Sequence, residues 1–293
     1  MATTTTRRHA GTALRLTPLA GALAAALLCT PALAADWTFT PRVELRTTYS
    51  DNVRLAPLGK EVADVIHEVK PGFRLRGDGK RIKLNADYTA DIVSYRDNSE
   101  RNDVLHQFYG DIAAEVIDDW LYFEGNGMAG QQQIDPFGPA VDLARPITTS
   151  DNIAEIRTYS ASPYIRHDFS NVVTTEVRYA REGYSSSSDL LSDTTTTRKS
   201  AVLTGGRMFT NFGWGMLYYD ETTDYASSGT IGITTFFSAA KYKLNPTFAI
   251  TATAGHEKYG YLSLLERSKG NFWTIGFGWR PSPRTILDFS VGR

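Results

Sequence analysis

Apolar and polar residues alternate with a period of two along most of the chain. Between residues 37 and 49, tryptophan, phenylalanine, valine, leucine and tyrosine occupy most odd positions, whereas even positions carry threonine, arginine and glutamate. Successive side chains of a β-strand point to opposite faces, whereas a helix would spread the charges around its circumference. The pattern therefore predicts a strand with one apolar and one polar face.

The same alternation recurs in further segments down to the last residues. These predicted strands are residues 64–76, 81–95, 104–116, 120–131, 153–166, 172–182, 200–209, 214–221, 230–244, 247–257, 271–280 and 286–293. Most are close to the roughly 9–11 residues that a tilted strand needs to cross a membrane. Together with the first segment they predict about 12–13 strands, the last of them short.

Short turns and long loops alternate between these strands. The turns are predicted at 77–79, 117–119, 167–171, 210–213, 245–246 and 281–285, and the polar loops at 50–63, 96–103, 132–152, 183–199, 222–229 and 258–270. The serines at 185–188 and the threonines at 194–197 are interpreted as part of a flexible surface loop. Outer-membrane barrels have short turns on one side and long loops on the other. The predicted fold is therefore all-β, an antiparallel up-and-down transmembrane β-barrel.

Aromatic residues cluster at both ends of the predicted strands. The tryptophans near the turns are Trp37, Trp120, Trp214 and Trp279, and the tyrosines near the loops are Tyr49, Tyr95, Tyr184 and Tyr219. Barrels place two such bands at the water–lipid boundaries, so these residues are the predicted aromatic girdle. The alternative is that tryptophan and tyrosine simply favour strands.

Charged residues at the polar positions are predicted to line a hydrated lumen. The candidates are Arg42, Glu44, Arg46, Glu68, Lys70, Arg74, Arg76, Lys83, Asp87, Asp91, Glu176 and Arg178. Their mixed signs allow ion pairs between strands. Two interpretations remain open: the pairs stiffen a narrow barrel, or the lining passes or holds a hydrophilic chain.

The first 34 residues have the features of a secretory signal peptide. Arg7, Arg8 and Arg15 precede an apolar run that ends at Leu28, and Ala32-Leu33-Ala34 matches the small-x-small pattern of signal peptidase sites. We expect cleavage after Ala34, or else after Ala35, which leaves residues 35–293 as the barrel domain in the outer membrane. A retained membrane helix is the alternative, although the run is shorter than the roughly 18–20 residues required.

Composition excludes several kinds of site. The only cysteine, Cys29, lies in the predicted signal peptide, so the mature chain has no disulfide, thiolate zinc site or cysteine nucleophile. Without the three signal-peptide arginines, the balance of 31 basic to 32 acidic residues becomes 28 to 32. The mature chain therefore lacks the excess of positive charge that is typical of nucleic-acid-binding proteins.

The mature histidines give no metal-binding pattern. His67, His106, His167 and His256 lack the close spacing of zinc ligands, and no G-x-S-x-G nucleophile motif is present. We place His167 in a short turn and His106 on the outward or rim side of its strand. The sequence predicts no catalytic residue, metal or cofactor, and so no enzyme. A rim-site hydrolase that uses His106 or His256 is the least favoured alternative.

The last predicted strand is short. It runs from Ile286 to Arg293 and does not end in an aromatic residue. Bacterial barrels have an even number of strands and leave no open edge in lipid. We therefore expect that further C-terminal strands complete the barrel, and a closed barrel of this length is the alternative.

Four segments together resemble a known family. They are Trp37–Pro41, Glu44–Asn52, Tyr159–Tyr164 and Gly276–Pro283. Over the mature chain, the sequence resembles the PEP-CTERM-system-associated outer-membrane β-barrel family of exopolysaccharide-producing proteobacteria, whose members look longer than this chain. The resemblance implies a link to exopolysaccharide export and to the sorting of PEP-CTERM proteins, and it supplies no catalytic residues.

These observations predict a non-enzymatic outer-membrane barrel with a polar lumen as a conduit. Its expected partners are outer-membrane lipid and lipopolysaccharide, together with exopolysaccharide and its export machinery, and no nucleic acid. A structural or adhesive barrel with a plugged lumen is the main alternative.

Overall fold

The computed structural model describes residues 35–54, 56–135, 137, 152–261 and 266–293. The predicted signal peptide, residues 1–34, lies outside the described residues, as does most of the predicted loop 132–152. Within the described part, no helix is long and apolar enough to cross a membrane. A single turn of 3₁₀ helix, Ser99–Arg101, lies in the loop after the third strand.

The described residues form thirteen β-strands in one sheet, ordered as they occur in the chain. The strands are β1 (Ala35–Ser50), β2 (Asp64–Gly79), β3 (Ile82–Tyr95), β4 (Asp103–Ile117), β5 (Leu121–Gln133), β6 (Ile153–Phe169), β7 (Val173–Ser186), β8 (Thr194–Gly205), β9 (Phe212–Tyr225), β10 (Gly229–Asn245), β11 (Phe248–Tyr261), β12 (Glu266–Ser282) and β13 (Thr285–Gly292). Each strand pairs antiparallel with the next. This confirms the predicted all-β, antiparallel, up-and-down fold. Across the described residues, β1 and β13 are the two edges of the sheet.

Several strands differ from their predicted bounds, and β8 differs most. The eighth strand, predicted at 200–209, spans Thr194–Gly205, and the following turn begins at 206. The threonines assigned to a flexible loop therefore belong to β8, where the hydroxyls of Thr196 and Thr223 lie 3.0 Å apart across the ladder. Threonine suits strands because its β-branched side chain packs well on a pleated surface. β12 also begins earlier than predicted, at 266 rather than 271, and β9 and β11 continue to Tyr225 and Tyr261. Most of the residues in the predicted loops 222–229 and 258–270 therefore belong to strands.

The ladders separate charged from apolar side chains. Residues directly opposite in an antiparallel pair share a face; Glu44 lies opposite Lys70, and Arg74 lies opposite Asp87. We call the side of the sheet that carries these residues the polar face, and the other side the apolar face. Large apolar side chains on the apolar face are exposed, and Leu45 has 74% of its surface accessible.

The loop after β1 folds back over the polar face. Val53 from this loop packs with Ile66, Val93 and Tyr95, which occupy polar-face positions at the loop ends of β2 and β3. All four are buried, and Val53 and Ile66 are no more than 1% exposed. We call these four residues the cap cluster. It covers the polar face at the loop end of the first three strands.

Two turn features refine the sequence prediction. The turn between β6 and β7 has positive φ angles at Ser170 and Asn171, 51° and 63°, and Val172 donates its N–H to the Phe169 carbonyl at 2.9 Å. Two consecutive positive φ angles are typical of the type I′ turns that match strand twist. His167, predicted to lie in this turn, is instead within β6, where it stacks on Trp120 with ring centroids 3.9 Å apart.

Candidate functional site: the polar face of the sheet

The structure brings all of the predicted lumen-lining residues to the polar face. The cross-strand register carries this face from Arg42, Glu44 and Arg46 on β1 through the charged residues of β2 and β3. The ladders of β3 to β7 continue it to Glu176 and Arg178. Alternation of side chains within each strand and unbroken pairing between neighbouring strands are sufficient to place these residues on the same face of the sheet.

A carboxylate between two guanidinium groups occupies the middle of β1–β3. Asp87 pairs with Arg42, which donates from Nη1 to Oδ2 at 3.1 Å and also contacts Oδ1 through Nη2. Arg74 lies on the other side, 2.9 Å from the same carboxylate. Arg42 also donates to the Thr89 hydroxyl at 2.6 Å. Charge-assisted bonds of this kind are stronger than neutral ones.

A second group lies nearer the cap cluster. The Lys70 ammonium is 2.9 Å from Glu68 Oε1 and 2.7 Å from Asp91 Oδ2. Glu68 is 1% exposed and Asp91 is 2% exposed. Lys70 donates a hydrogen bond to Asp91 Oδ2. Among the described residues, both Glu68 oxygens and Asp91 Oδ1 are buried without a hydrogen-bond donor, so Lys70 compensates the charge of Glu68 through proximity. Arg46 bonds Glu44 at 2.7 Å and lies 3.9 Å from Glu68.

Two of the predicted lining residues have no charged partner among the residues that the structure describes. Arg76 and Lys83 are exposed on the polar face towards the turn ends of β2 and β3. They form no ion pair in the described part of the chain. They add positive charge to this end of the face.

A separate charged group extends over β5–β7. Arg178 donates to Glu124 Oε2 at 2.7 Å, to Glu176 Oε1 at 3.0 Å and to the Ser162 hydroxyl at 3.0 Å. Its guanidinium carbon lies 3.8 Å from the centre of the Tyr164 ring, a cation–π contact. Arg178 is therefore fixed on three sides while remaining accessible.

Arg198 on β8 forms an equivalent centre. It donates to Glu182 Oε1 and to Glu221 Oε2, both at 2.8 Å, and to the Tyr219 hydroxyl at 2.9 Å. The Tyr219 hydroxyl also bonds Glu221. These contacts connect β7, β8 and β9 across the polar face.

Sequence reasoning missed several members of these groups, namely Glu124, Glu182, Arg198 and Glu221. Glu182 has the same parity as Glu176 and Arg178 in its strand, so the alternation alone could have identified it. Arg198 could not be assigned to a face because residues 183–199 were interpreted as a loop. The error in β8 therefore hid the charged centre of that strand.

A depression of about 590 Å³ lies on the polar face beside the two arginine centres. Its lining includes Asn126, Thr158, Ser160, Glu182 and Arg198. An adjoining depression of about 400 Å³ shares several of these residues and extends towards the loop end of β8. Hydroxyl, amide and charged groups around an accessible space are suited to a hydrated solute.

The predicted girdle is only partly on the apolar face. Trp37, Trp214, Trp279 and Tyr49 lie there, and a Cβ atom on Gly77 or Gly205 would come within 2.7 Å of the Trp37 or Trp214 ring, so these glycines leave room for them. Trp120 lies in the turn before β5. Tyr95, Tyr184 and Tyr219 lie on the polar face. Those three do not belong to a band on the apolar face, because each has the same parity as the charged residues of its strand.

The histidines do not converge on one site. His106 lies on the apolar face, as predicted, with Nδ1 2.9 Å from the Tyr88 hydroxyl. His256 also lies on that face, 2.6 Å from the Asn271 side-chain oxygen, and Thr47 contacts His67 at 3.1 Å. Over the described ranges, no group of three or more His, Cys, Asp or Glu side chains is placed to hold a metal ion.

Comparisons with known proteins find likeness only among solved structures. No family model and no curated protein matches the chain. The chain is similar to OmpT, an outer membrane protein of Vibrio cholerae (TM-score 0.38, 9% identity, covering 89% of this chain and 88% of that one). It is also similar to an anion-selective porin from Comamonas acidovorans (TM-score 0.34, 12% identity, covering 88% of each chain). A third similar structure is OccK2 of Pseudomonas aeruginosa (TM-score 0.31, 9% identity, covering 90% of this chain and 94% of that one).

Proposed function

We propose that the chain is an outer-membrane β-barrel whose apolar face contacts lipid. The observation that carries this proposal is the exposure of large apolar side chains on the apolar face of nearly every strand. They include Trp37, Phe39, Leu45, Val69, Ile92, Ile165, Val177, Leu203, Met216, Phe236, Ile250, Ile275 and Phe289. A water-soluble protein rarely exposes so extensive an apolar surface, whereas hydrocarbon stabilises it.

The polar face then lines a hydrated lumen that serves as a conduit for a hydrophilic chain. The arginine centres at Arg178 and Arg198, and the depression beside them, support this role because they remain accessible. The resemblance to the PEP-CTERM-associated barrel family suggests exopolysaccharide as that chain and a connection with PEP-CTERM protein sorting. In this proposal the protein has no enzymatic role.

Fractionation of cells that produce the protein tests the membrane location. The mature chain should appear in the outer-membrane fraction and require detergent for extraction. Its folded form should migrate faster than the boiled form on a gel, as is usual for folded barrels. A polypeptide that stays soluble without detergent would overturn the proposal at this step.

Deletion of the gene tests the export role. We expect secreted polysaccharide to fall and to return when the wild-type gene is restored. Secretion that is unchanged in the deletion strain, while growth and other outer-membrane proteins are normal, would contradict the export role and leave the membrane location standing. Secreted polysaccharide can be quantified from culture supernatants in each strain.

A plugged, structural barrel is the second candidate, and the cap cluster favours it. The Val53 loop lies across the polar face, and Arg101 donates to the Val53 carbonyl at 2.8 Å. Planar-bilayer recording separates the two candidates. Discrete conductance steps from the wild type support a conduit. If the wild type shows no conductance and a Val53→Asp variant, which weakens the cap cluster, does conduct, the result supports a plugged barrel.

A further inference from the structure

Three cations meet on the apolar face at the loop ends of β11 and β12. Lys258 lies directly opposite Lys269, and Arg267 lies one row further towards the loop, opposite Gly260. They line a depression of about 500 Å³ together with Thr222, Gly232 and Thr234. We call these three residues the basic patch.

The basic patch is not neutralised within the described residues. Like charges directly opposite in a ladder destabilise a sheet, yet none of the three cations has an ion pair with a described acidic side chain. Asp220 also lines the depression, but its carboxylate accepts a hydrogen bond from Thr234 at 2.9 Å. Glu221 lines the depression as well, but its carboxylate is paired with Arg198 on the polar face. Three cations therefore face the single carboxylate of Asp220 on the apolar face, and an anion would compensate the excess of positive charge.

An apolar groove lies below the basic patch on the same face, beyond one row of side chains that consists of Phe236, His256 and Asn271. Its floor consists of the small residues Ser238, Ala240, Ala252 and Ala254, and Trp214, Met216 and Phe212 form one wall. Trp273 lies opposite Ala254 on the other side. The space measures about 530 Å³ and is lined mostly by carbon. Aligned methylene groups fit a groove of this shape and composition.

The height of the basic patch matches a membrane boundary. Lys258 is about ten residues from Phe248, where β11 begins at the turn end. At about 3.4 Å per residue and a tilt of about 45°, this segment rises about 25 Å, the height of the apolar band of an outer-membrane barrel. The cations therefore lie where headgroup phosphates would be, and the groove lies at the depth of acyl chains.

We propose that β9–β12 form a binding site for a phosphorylated, acylated lipid of the outer leaflet. Its phosphate is held by Lys258, Arg267 and Lys269, and an acyl chain occupies the groove below. This inference rests on the proposed membrane location, because it requires the apolar face to contact lipid. Charge complementarity, and the position of the groove on the same strands below the basic patch, distinguish this region from the rest of the apolar face.

Native mass spectrometry of the detergent-solubilised protein tests the site, with bisphosphorylated lipid A as the probe. The wild type should retain the lipid. A Lys258→Asn, Lys269→Asn double variant should bind about twenty-five-fold more weakly, since each cation near an anionic headgroup strengthens binding about fivefold. Arg284→Gln is the matched control, because it removes one cation at the turn end beyond β12 and should leave binding unchanged.

A change of ligand gives a test that does not depend on the folding of a variant. Fully dephosphorylated lipid A should bind the wild type at least about tenfold more weakly than the bisphosphorylated form. Ala252→Leu, which fills the groove, should weaken both lipids by a similar factor. Equal retention by the double variant, or equal binding of the two lipids, overturns the lipid site. If the wild-type chain does not enter membranes, the result contradicts the proposed membrane location and not the lipid site.

Discussion

The polar face is built in two ways along the sheet. On β2 and β3, the pair Glu68 and Asp91 is buried around Lys70 beside the cap cluster, and Glu68 lies opposite Val93 of that cluster. On β5–β9, the cations Arg178 and Arg198 also lie between two carboxylates each, but their side chains are 25% and 34% exposed. The arrangement of charges is the same, and the covering differs.

This difference determines what each group can do. Buried carboxylates depend on their cation, since water cannot replace it, so the covered group holds strands and loop in one arrangement. Accessible ion pairs contribute little to stability because water screens them. They remain available to a solute, however, and border the depression on the polar face. The two interpretations of the charged lining, stiffening and conduction, therefore apply to different regions of the same face.

The largest expected effect comes from removing the cation of the covered group. Lys70→Met leaves Glu68 and Asp91 as two buried carboxylates without a counter-charge. We expect the free energy of unfolding to fall by about 3–5 kcal/mol, as is typical when one partner of a buried pair is lost. Urea titration of the protein in detergent micelles, followed by tryptophan fluorescence, measures it.

A triple replacement distinguishes lost charge from lost packing at this position. Lys70→Met combined with Glu68→Gln and Asp91→Asn removes the cation and both carboxylate charges. Most of the lost stability should return, because no uncompensated charge remains. If the triple variant is as unstable as Lys70→Met, the covered group is held by packing rather than by charge balance, and the contrast with the exposed group fails.

A smaller loss of stability is expected when the hydrogen bonds that connect the two loops beside the cap cluster are removed. Asp64 is 2% exposed and accepts hydrogen bonds from the backbone N–H groups of Val65, Asp97 and Asn98 and from the Asn98 side chain. Asp64→Ala leaves the two buried donors of Asn98 unpaired, which we expect to lower the free energy of unfolding by about 1–3 kcal/mol. Protease digestion should become faster at the loop that carries Val53. Asp51→Ala, in the same loop at an exposed position, is the control and should not change it.

The strands and their faces could be predicted because each residue's side follows from a period of two. For this reason the alternation alone assigns Arg42, Lys70 and Asp87 to the same face. The cap cluster could not be predicted in this way, because the loop carries several apolar residues, Val53, Leu58 and Val62 among them, and the path of the loop decides which of them packs on Ile66 and Tyr95. The sequence likewise indicated the charge of Glu68 but not its burial, because a period of two gives the face of a residue and not what lies over it.

The aromatic residues illustrate the same limit. Tyr219 was placed in a girdle by its distance along the strand, although its parity assigns it to the polar face beside Arg198. Position along a strand predicts the height of a residue, and parity predicts its face; both are needed to assign a residue to a girdle. Trp37 and Trp214 satisfy both, since each lies at a turn end of the apolar face.

The variant with the smallest expected effect on stability should have the largest effect on ion selectivity. Arg178→Met removes the cation between Glu124 and Glu176, which are both partly exposed. The free energy of unfolding should fall by about 1 kcal/mol or less. If the polar face conducts, losing this cation beside two carboxylates should shift the reversal potential under a salt gradient towards greater cation preference.

The covered group supplies the matched comparison in the same recordings. The triple variant at Glu68, Lys70 and Asp91 should keep the wild-type reversal potential, because these side chains are shielded from the accessible space. A shift of equal size in both variants would mean that the cap cluster does not separate the two regions. No shift in the Arg178→Met variant, with discrete conductance steps retained, would move the conducting path away from the β5–β9 charges. The difference in burial would then no longer explain how the same alternation of residues gives a rigid charged group on β2 and β3 and an accessible one on β5–β9.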